Sequence, residues 1–175
     1  MPKIITTKQP NSHMCFVCGL KNDFGLKASF YEIEGKELIG IFEPAEEHQG
    51  YPGRLHGGIA SAILDETVGR AVLIDHKDSW WVTAELSVRF RKPVPIDGAV
   101  KVVGRITASR GRIFEGTGEI LLEDGTPAVT ATAKYFAQPI DDIIGNEDFG
   151  DEVWEVIPEP SDPLNIKLHT RNPKN

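Results

Sequence analysis

The sequence is poor in cysteine and contains no long hydrophobic run. Two cysteines, Cys15 and Cys18, are too few for the disulfide framework of a small secreted domain. No segment approaches the roughly 20 apolar residues that a membrane-spanning helix needs, and the first residues lack the hydrophobic core of a signal peptide. We therefore expect a cytoplasmic protein that does not span a membrane.

Positive charge is also scarce. The chain has 19 Lys and Arg against 26 Asp and Glu, a net charge of −7, which argues against a protein that binds nucleic acid through charge alone. Nine of the acids fall between residues 139 and 162, a segment without Lys or Arg. The rest of the chain is therefore nearly balanced, and a small ligand that carries phosphate is compatible with it.

The hydrophobic pattern indicates one helix and several long strands. Residues 1–26 are rich in turn formers and are predicted to form an N-terminal extension without regular structure. A segment at about 58–75 is apolar on all sides, which is typical of a buried helix. A loop is expected at about 44–55, and extended segments are predicted at about 27–33, 37–43, 82–91, 99–109, 112–123 and 127–137.

The single apolar helix has no partner helix, so it must bury its surface against the sheet. The sequence therefore predicts a two-layer α+β domain over residues 27–137, in which an antiparallel sheet of about five or six strands wraps around one long helix. The last three strands form a meander. Residues 138–175 form an acidic extension whose large apolar side chains indicate that it packs on the domain or on a neighbouring subunit.

The run from Leu55 to Glu66 has the chemistry of half an active site. Gly57 and Gly58 leave backbone N–H groups unshielded where the helix begins, and a helix start favours developing negative charge. An acyl-transfer oxyanion requires such donors. Asp65 lies two turns further on, and an ionised carboxylate on an apolar helix needs a partner or a function.

The spacing of these groups predicts a homodimer. A rise of about 1.5 Å per residue puts the amides of Gly57 and Gly58 roughly 10 Å from Asp65. Reacting atoms must approach to about 3–3.5 Å. One helix therefore cannot supply both groups to one carbon, whereas two antiparallel copies about a two-fold axis can. Two shared sites per dimer are expected, and the pairing of dimers into tetramers is left open.

Four motifs, in their order and spacing, resemble those of the hotdog-fold acyl-CoA thioesterases of the PaaI and THEM type. They are Cys15-Phe16-Val17-Cys18-Gly19, His48-Gln49-Gly50-Tyr51-Pro52-Gly53, the run from His56 to Glu66, and Val82-Thr83-Ala84-Glu85-Leu86 with the later Arg91-Lys92-Pro93-Val94. The resemblance covers residues 15 to 137. It implies a hotdog fold and the hydrolysis of acyl-CoA thioesters to free acid and CoA.

The resemblance also implies a role for each matching residue. Gly57 would supply the oxyanion N–H, and His56 would orient the thioester. Asp65 would act as general base on water or as nucleophile, and Thr83 would help to position the water. Some relatives carry an Asn in the loop before the His-Gly pair, whereas this chain has His48, Gln49 and Gly50 there.

Substrate binding is predicted for Gly58 at the helix start and for four arginines. The arginines are candidates because a guanidinium suits the phosphates of CoA. The four are Arg89, Arg91, Arg110 and Arg112. No cofactor is expected apart from the CoA of the substrate.

No metal is expected either. His13, Cys15 and Cys18 have the spacing of half a zinc site, which Asp23 or His48 could complete. A structural zinc site normally uses four protein ligands, however, and the chain has no second Cys-x-x-Cys pair. Packed, reduced thiols are therefore favoured.

Two other functions are compatible with such a fold. A non-catalytic acyl-CoA-binding or sensing domain generally needs an output module, and neither a helix-turn-helix segment nor a basic arm is visible. A hotdog enoyl-CoA hydratase would place its catalytic His and acid in a different loop pattern. The thioesterase interpretation is therefore preferred.

Overall fold

A curved antiparallel sheet wraps around one helix in the computed structural model, which describes residues 2–77, 80–145 and 154–168. The elements in chain order are β1 (Lys3–Lys8), β2 (Ser29–Ile33), β3 (Glu37–Phe42), β4 (Gln49–Tyr51), β5 (Arg54–Leu55), α1 (Gly57–Arg70), β6 (Trp81–Phe90), β7 (Val100–Arg110), β8 (Ile113–Leu121), β9 (Pro127–Ala137), α2 (Ile140–Ile144) and β10 (Asn165–Ile166). The predicted α+β class, the long helix and the final meander are confirmed.

The described part of the main sheet has eight strands, more than the five or six predicted. Their order is β10-β1-β2-β3-β7-β8-β9-β6. The additional strands join at one edge, where β1 pairs with β2 through Ile5 opposite Ile33 and with β10 through Lys3 opposite Ile166. At the other edge, β6 pairs with β9.

Two predictions of irregular structure were wrong. Residues 3–8 form β1 because four β-branched residues, Ile4 to Thr7, suit an extended strand along β2. The loop at 44–55 contains a 3₁₀ turn, Glu46–His48, and the hairpin of β4 and β5. Gly53 adopts a φ of +72° between these two strands, which closes the hairpin. The domain boundaries at residues 26 and 138 remain predictions.

Helix α1 starts at a capped glycine and ends in a tighter turn. The Nδ1 atom of His56 accepts a hydrogen bond from the N–H of Gly58 at 2.9 Å, which satisfies one of the donors at the helix start. The α-helical geometry stops at Arg70, and Ala71–Ile74 continue as a 3₁₀ turn. The predicted helical segment at 58–75 is therefore an α-helix followed by a 3₁₀ turn.

Glycines in β7 and β8 let α1 lie almost on the sheet backbone. A Cβ atom at Gly104 would come within 2.6 Å of the carbonyl oxygen of Thr67, and one at Gly118 within 2.6 Å of a methyl group of Val68. Gly104 of β7 and Gly118 of β8 lie directly opposite each other in the pairing of the two strands. The main core fills the rest of the space between helix and sheet with large buried side chains, among them Phe30, Leu38, Ile63, Leu64, Val102 and Ile120.

The described part of the C-terminal extension packs on the domain, as expected. Asp162 accepts hydrogen bonds from Lys8 at 2.7 Å and from Tyr31 at 2.6 Å. Ile166 is buried in a second apolar cluster with Ile33 and other residues of the sheet. Other apolar residues of the extension, Phe149 and Val153, lie outside the described residues.

Within the three described ranges, we find no helix with both the length and the apolarity that a bilayer crossing demands.

The close approach of α1 predicts the effect of adding one methyl group to the sheet. Gly104→Ala places a Cβ against the helix backbone, so we expect the free energy of unfolding to fall by about 1–3 kcal/mol. Urea unfolding at a fixed protein concentration measures it. The control is Gly98→Ala, whose Cβ meets no atom within 4 Å and which should stay within about 0.5 kcal/mol of the wild type. Equal stability of the two variants would contradict the packing argument.

Candidate active site

Asp65 is held by side chains from the edge strand β6 and its neighbour β9. The hydroxyl of Thr83 donates to both carboxylate oxygens of Asp65, at 3.0 and 3.1 Å. The hydroxyl of Tyr135 donates to the Asp65 carbonyl oxygen at 2.8 Å and to its carboxylate at 3.2 Å. The structure therefore brings together Asp65 and Thr83, and the carboxylate has a fixed orientation.

Burial and hydrogen bonding shift the pKa of Asp65 in opposite directions. Partial burial raises the pKa of the carboxyl, because it disfavours the charged form, and the nearby charge of Glu66 adds to that effect. The hydrogen bonds from Thr83 and Tyr135 lower the pKa, because they stabilise the carboxylate, but the net shift is upward. A raised pKa makes a carboxylate a stronger base, as proton abstraction from water requires.

Tyr135 was missed by the sequence reasoning. It is 1% exposed, and it lies directly opposite Thr83 in the pairing of β6 with β9. Burial and the neighbouring Asp65 raise the pKa of the Tyr135 phenol, so the hydroxyl stays protonated and donates. The available signal was a tyrosine on the face of β9 that otherwise carries Ala131 and Ala133, since a buried tyrosine hydroxyl needs a partner.

The start of α1 leaves the backbone N–H of Gly57 free. His56 is exposed and binds the N–H of Gly58, so that amide is already used within the chain. In the described part of the chain, the N–H of Gly57 donates to no protein group. The ring of Phe90 lies beside Gly57, about where a side chain at that position would make van der Waals contact. Gly57 therefore presents the donor that an oxyanion could use.

The free donor and the carboxylate do not meet within one chain. Gly57 lies beside Phe90 at the last residue of β6, whereas Asp65 binds Thr83 near the start of the same strand. Their separation along α1 alone is roughly 10 Å. One chain therefore carries two half-sites at opposite ends of β6.

The four predicted arginines also divide between the two ends of β6. Arg89 and Arg91 flank Phe90 at the end near Gly57, and both are exposed. Arg110 and Arg112 lie at the turn between β7 and β8, at the end of the sheet where Ala137 pairs with Trp81. Arg112 donates to the carbonyl oxygen of Ala137 at 2.9 and 3.1 Å. The four do not form a single cluster within one chain.

Strand β6 has a free edge. It is the last strand of the sheet, and it pairs only with β9 in the ranges that the structure describes. All ten of its residues are partly or fully exposed, including the apolar Leu86, Val88 and Phe90. Unpaired strand edges readily add another strand.

Comparisons with known proteins agree with this architecture. The family model of the thioesterase superfamily matches residues 52–129. The acyl-coenzyme A thioesterase THEM4 of Mus musculus is 31% identical over 62% of this chain and 46% of its own length. The acyl-coenzyme A thioesterase THEM5 of Homo sapiens is 30% identical over 41% of this chain and 28% of its own length. The chain spans about half the length of most of the curated relatives it matches.

Solved structures of other proteins also match the fold of this chain. A thioesterase superfamily protein superposes with a TM-score of 0.64 and 26% identity, over 72% of this chain and 60% of that one. A Bacillus halodurans protein crystallised with CoA superposes with a TM-score of 0.59 and 20% identity, over 65% of this chain and 76% of that one. The chain has the hotdog fold, and over residues 52–129 it is similar to the thioesterase superfamily.

Proposed function

We propose that the protein hydrolyses acyl-CoA thioesters to free acid and CoA. The observation that carries the proposal is the partly buried Asp65 carboxylate, fixed by Thr83 and Tyr135 at one end of β6 while the free N–H of Gly57 lies at the other. The named activity of the THEM4 and THEM5 relatives supports it.

We also propose that two copies pair through β6 about a two-fold axis. Antiparallel pairing of β6 with its copy places the Phe90 end of one strand beside the Thr83 end of the other. The partner's Gly57 then lies near Asp65, and each shared site has one carboxylate and one oxyanion donor. Arg89 and Arg91 of one subunit and Arg110 and Arg112 of the other would border the same site, where guanidinium groups suit the phosphates of CoA.

The reaction follows from these positions. Asp65 takes a proton from a water molecule that Thr83 helps to position, and the water oxygen attacks the thioester carbonyl. The alternative is direct attack by the Asp65 carboxylate, followed by hydrolysis of the anhydride. In both routes the partner's Gly57 N–H stabilises the oxyanion, and the CoA thiolate leaves. His56 holds the helix start in place through Gly58, and no metal or added cofactor takes part in the proposed route.

The first test is Asp65→Asn against a panel of short, long and aromatic acyl-CoAs. Loss of the base should lower the release of free thiol by about 10²- to 10⁴-fold. Asp75→Asn is the matched control, since Asp75 is exposed and pairs with Lys36 away from the site. Unchanged hydrolysis in Asp65→Asn would contradict the proposal. Two results with the wild type would also contradict it: binding of acyl-CoA without turnover, and loss of an enoyl double bond without release of thiol.

The shared site is tested by mixing two inactive variants. Gly57→Pro removes the proposed donor with little change in fold, because proline suits the first helical position and the preceding His56 has an extended ψ of 139°. Neither Gly57→Pro nor Asp65→Asn should be active alone. After unfolding and refolding an equal mixture, half of the dimers contain one complete site, so activity should return to about one quarter of wild type. No recovery would place the whole site within one chain.

Tyr135→Phe tests the role of the phenol in setting the proton affinity of Asp65. The change removes a hydrogen bond to the carboxylate, so the pKa of Asp65 should rise further and the acid limb of kcat/KM should move to higher pH. Well above that limb, Asp65 is ionised in both proteins, and activity should fall by less than about tenfold. Tyr31→Phe is the control, since its hydroxyl binds Asp162 instead. An unmoved acid limb in Tyr135→Phe would exclude this role.

A further inference from the structure

The Cys-x-x-Cys motif forms a second polar cluster, on the side of α1 that the proposed reaction does not use. The Sγ atoms of Cys15 and Cys18 and a carboxylate oxygen of Glu66 all lie within 4.8 Å of one another. Both cysteines are free, Cys18 being fully buried and Cys15 partly exposed. The two sulfurs are therefore close without being joined.

The loop that carries the cysteines is tightly built. The N–H of Gly19 donates to the carbonyl oxygen of Cys15 at 2.8 Å, and the N–H of Val17 donates to the Cys15 Sγ at 3.4 Å. A Cβ at Gly19 would come within 2.3 Å of the Cys15 carbonyl oxygen, so the turn needs glycine there. The backbone thus holds the two sulfurs on the same side of the turn.

A buried arginine faces one of the two sulfurs. Arg70 is 2% exposed, and its Nη2 donates to the Cys18 Sγ at 3.0 Å while its Nε donates to Glu66 at 2.6 Å. Its guanidinium also lies 4.6 Å from the ring centre of Phe30 and 4.8 Å from that of Trp154. The cation is fixed, and it stabilises negative charge on Cys18.

The two thiols differ in proton affinity because of their hydrogen bond to each other and because of the nearby Arg70. The hydrogen bond from Cys15 and the charge of Arg70 lower the pKa of Cys18, against the effect of burial. The pKa of Cys15 is raised by its interaction with Cys18 and by burial. The two sulfurs titrate as a pair, so the low pKa belongs to the loss of the first proton of the pair, and the remaining proton lies between the two sulfurs.

The same contacts disfavour a metal ion. A structural zinc site takes four protein ligands, whereas the metal-ligating cluster among the described residues has three members. Two of those, Cys18 and Glu66, already bind Arg70. A divalent cation placed between them would also be repelled by the guanidinium.

We propose that Cys15 and Cys18 are a redox-active dithiol that low-molecular-weight disulfides convert into an intrachain disulfide. Cys18 takes the proton of Cys15 as the Cys15 sulfur attacks one sulfur of the external disulfide, whose S–S bond breaks and releases one thiolate. The Cys18 thiol then gives its proton to a solvent base, and the resulting thiolate attacks the Cys15 sulfur and releases the second small molecule as a thiolate. The protein pair loses two electrons, and the external disulfide gains them.

This oxidation would change the contacts of α1. A disulfide sulfur carries no charge, so Arg70 would lose its ionic contact with Cys18 and keep its hydrogen bond to the carbonyl oxygen of Pro10. Glu66, which follows Asp65 in sequence, would then be the remaining charged partner of Arg70 in this cluster. The dithiol state thus changes one of the contacts between α1 and the N-terminal loop.

The test uses the wild-type full chain in buffers of graded oxidised to reduced glutathione, followed by acid quenching, alkylation and intact mass measurement. We expect one transition to a form lighter by two hydrogen atoms, reversed by reduced dithiothreitol and absent in Cys15→Ser and Cys18→Ser. A stable glutathione adduct, resistance of both thiols to the most oxidising buffer, or one equivalent of bound zinc lost in Cys18→Ser would overturn the proposal. Acyl-CoA hydrolysis is not the readout, so the result is independent of the proposed function.

Arg70→Lys tests whether Arg70 makes this cysteine pair more reactive than an ordinary one. It keeps the charge but loses the planar donors to Cys18 and Glu66, so exchange with glutathione at neutral pH should slow by about tenfold. Arg105→Lys is the control, because Arg105 binds Glu37 and Glu119 on the sheet. If Arg70→Lys does not fold, the pH dependence of alkylation of the wild type decides, since a midpoint as high as that of a free cysteine would overturn the proposal.

Discussion

The contact between α1 and the sheet is the constraint on which the rest of the structure depends. Because Gly104 and Gly118 have no side chains, Thr67 and Val68 lie against the strand backbone, and this fixes both the depth and the rotation of the helix. Asp65 then projects toward β9 and β6. Gly69, one turn later, leaves room for Tyr135, whose ring would lie 3.2 Å from a Cβ there. The position of the carboxylate thus follows from backbone packing.

The same rotation gives two adjacent carboxylates opposite surroundings. Successive side chains on a helix diverge by about 100°, so Asp65 faces neutral hydroxyl donors while Glu66 faces a buried guanidinium. Without a cation, burial dominates at Asp65 and raises its pKa. At Glu66 the ion pair with Arg70 supplies the compensating charge. One helix therefore separates a carboxylate suited to accept a proton from one that anchors the N-terminal loop.

The elements that could be predicted from the sequence are those with a local signal. The long strands have a period of two, α1 is apolar on all sides, and Thr83 was matched to Asp65 through a motif. Strand β1 has four β-branched residues in a row but no alternation of apolar and polar residues, and it pairs with residues far along the chain, so a search for a period of two does not reveal it. Tyr135 reaches Asp65 only because β9 pairs with β6 in one register, and a shift by one residue would turn it to the other face. Arg70 resembles an ordinary surface residue at a helix end until the fold buries it.

The free edge of β6 and the divided site have one geometric origin. Wrapping the sheet around a single helix leaves β6 with one neighbour and places Gly57 and Thr83 at opposite ends of that strand. A second copy paired antiparallel along β6 would cover the edge, since an exposed strand edge is otherwise an aggregation hazard. The same pairing would bring each free N–H to the other copy's carboxylate. In the proposed dimer, the contact that protects the sheet and the contact that completes the site are therefore the same.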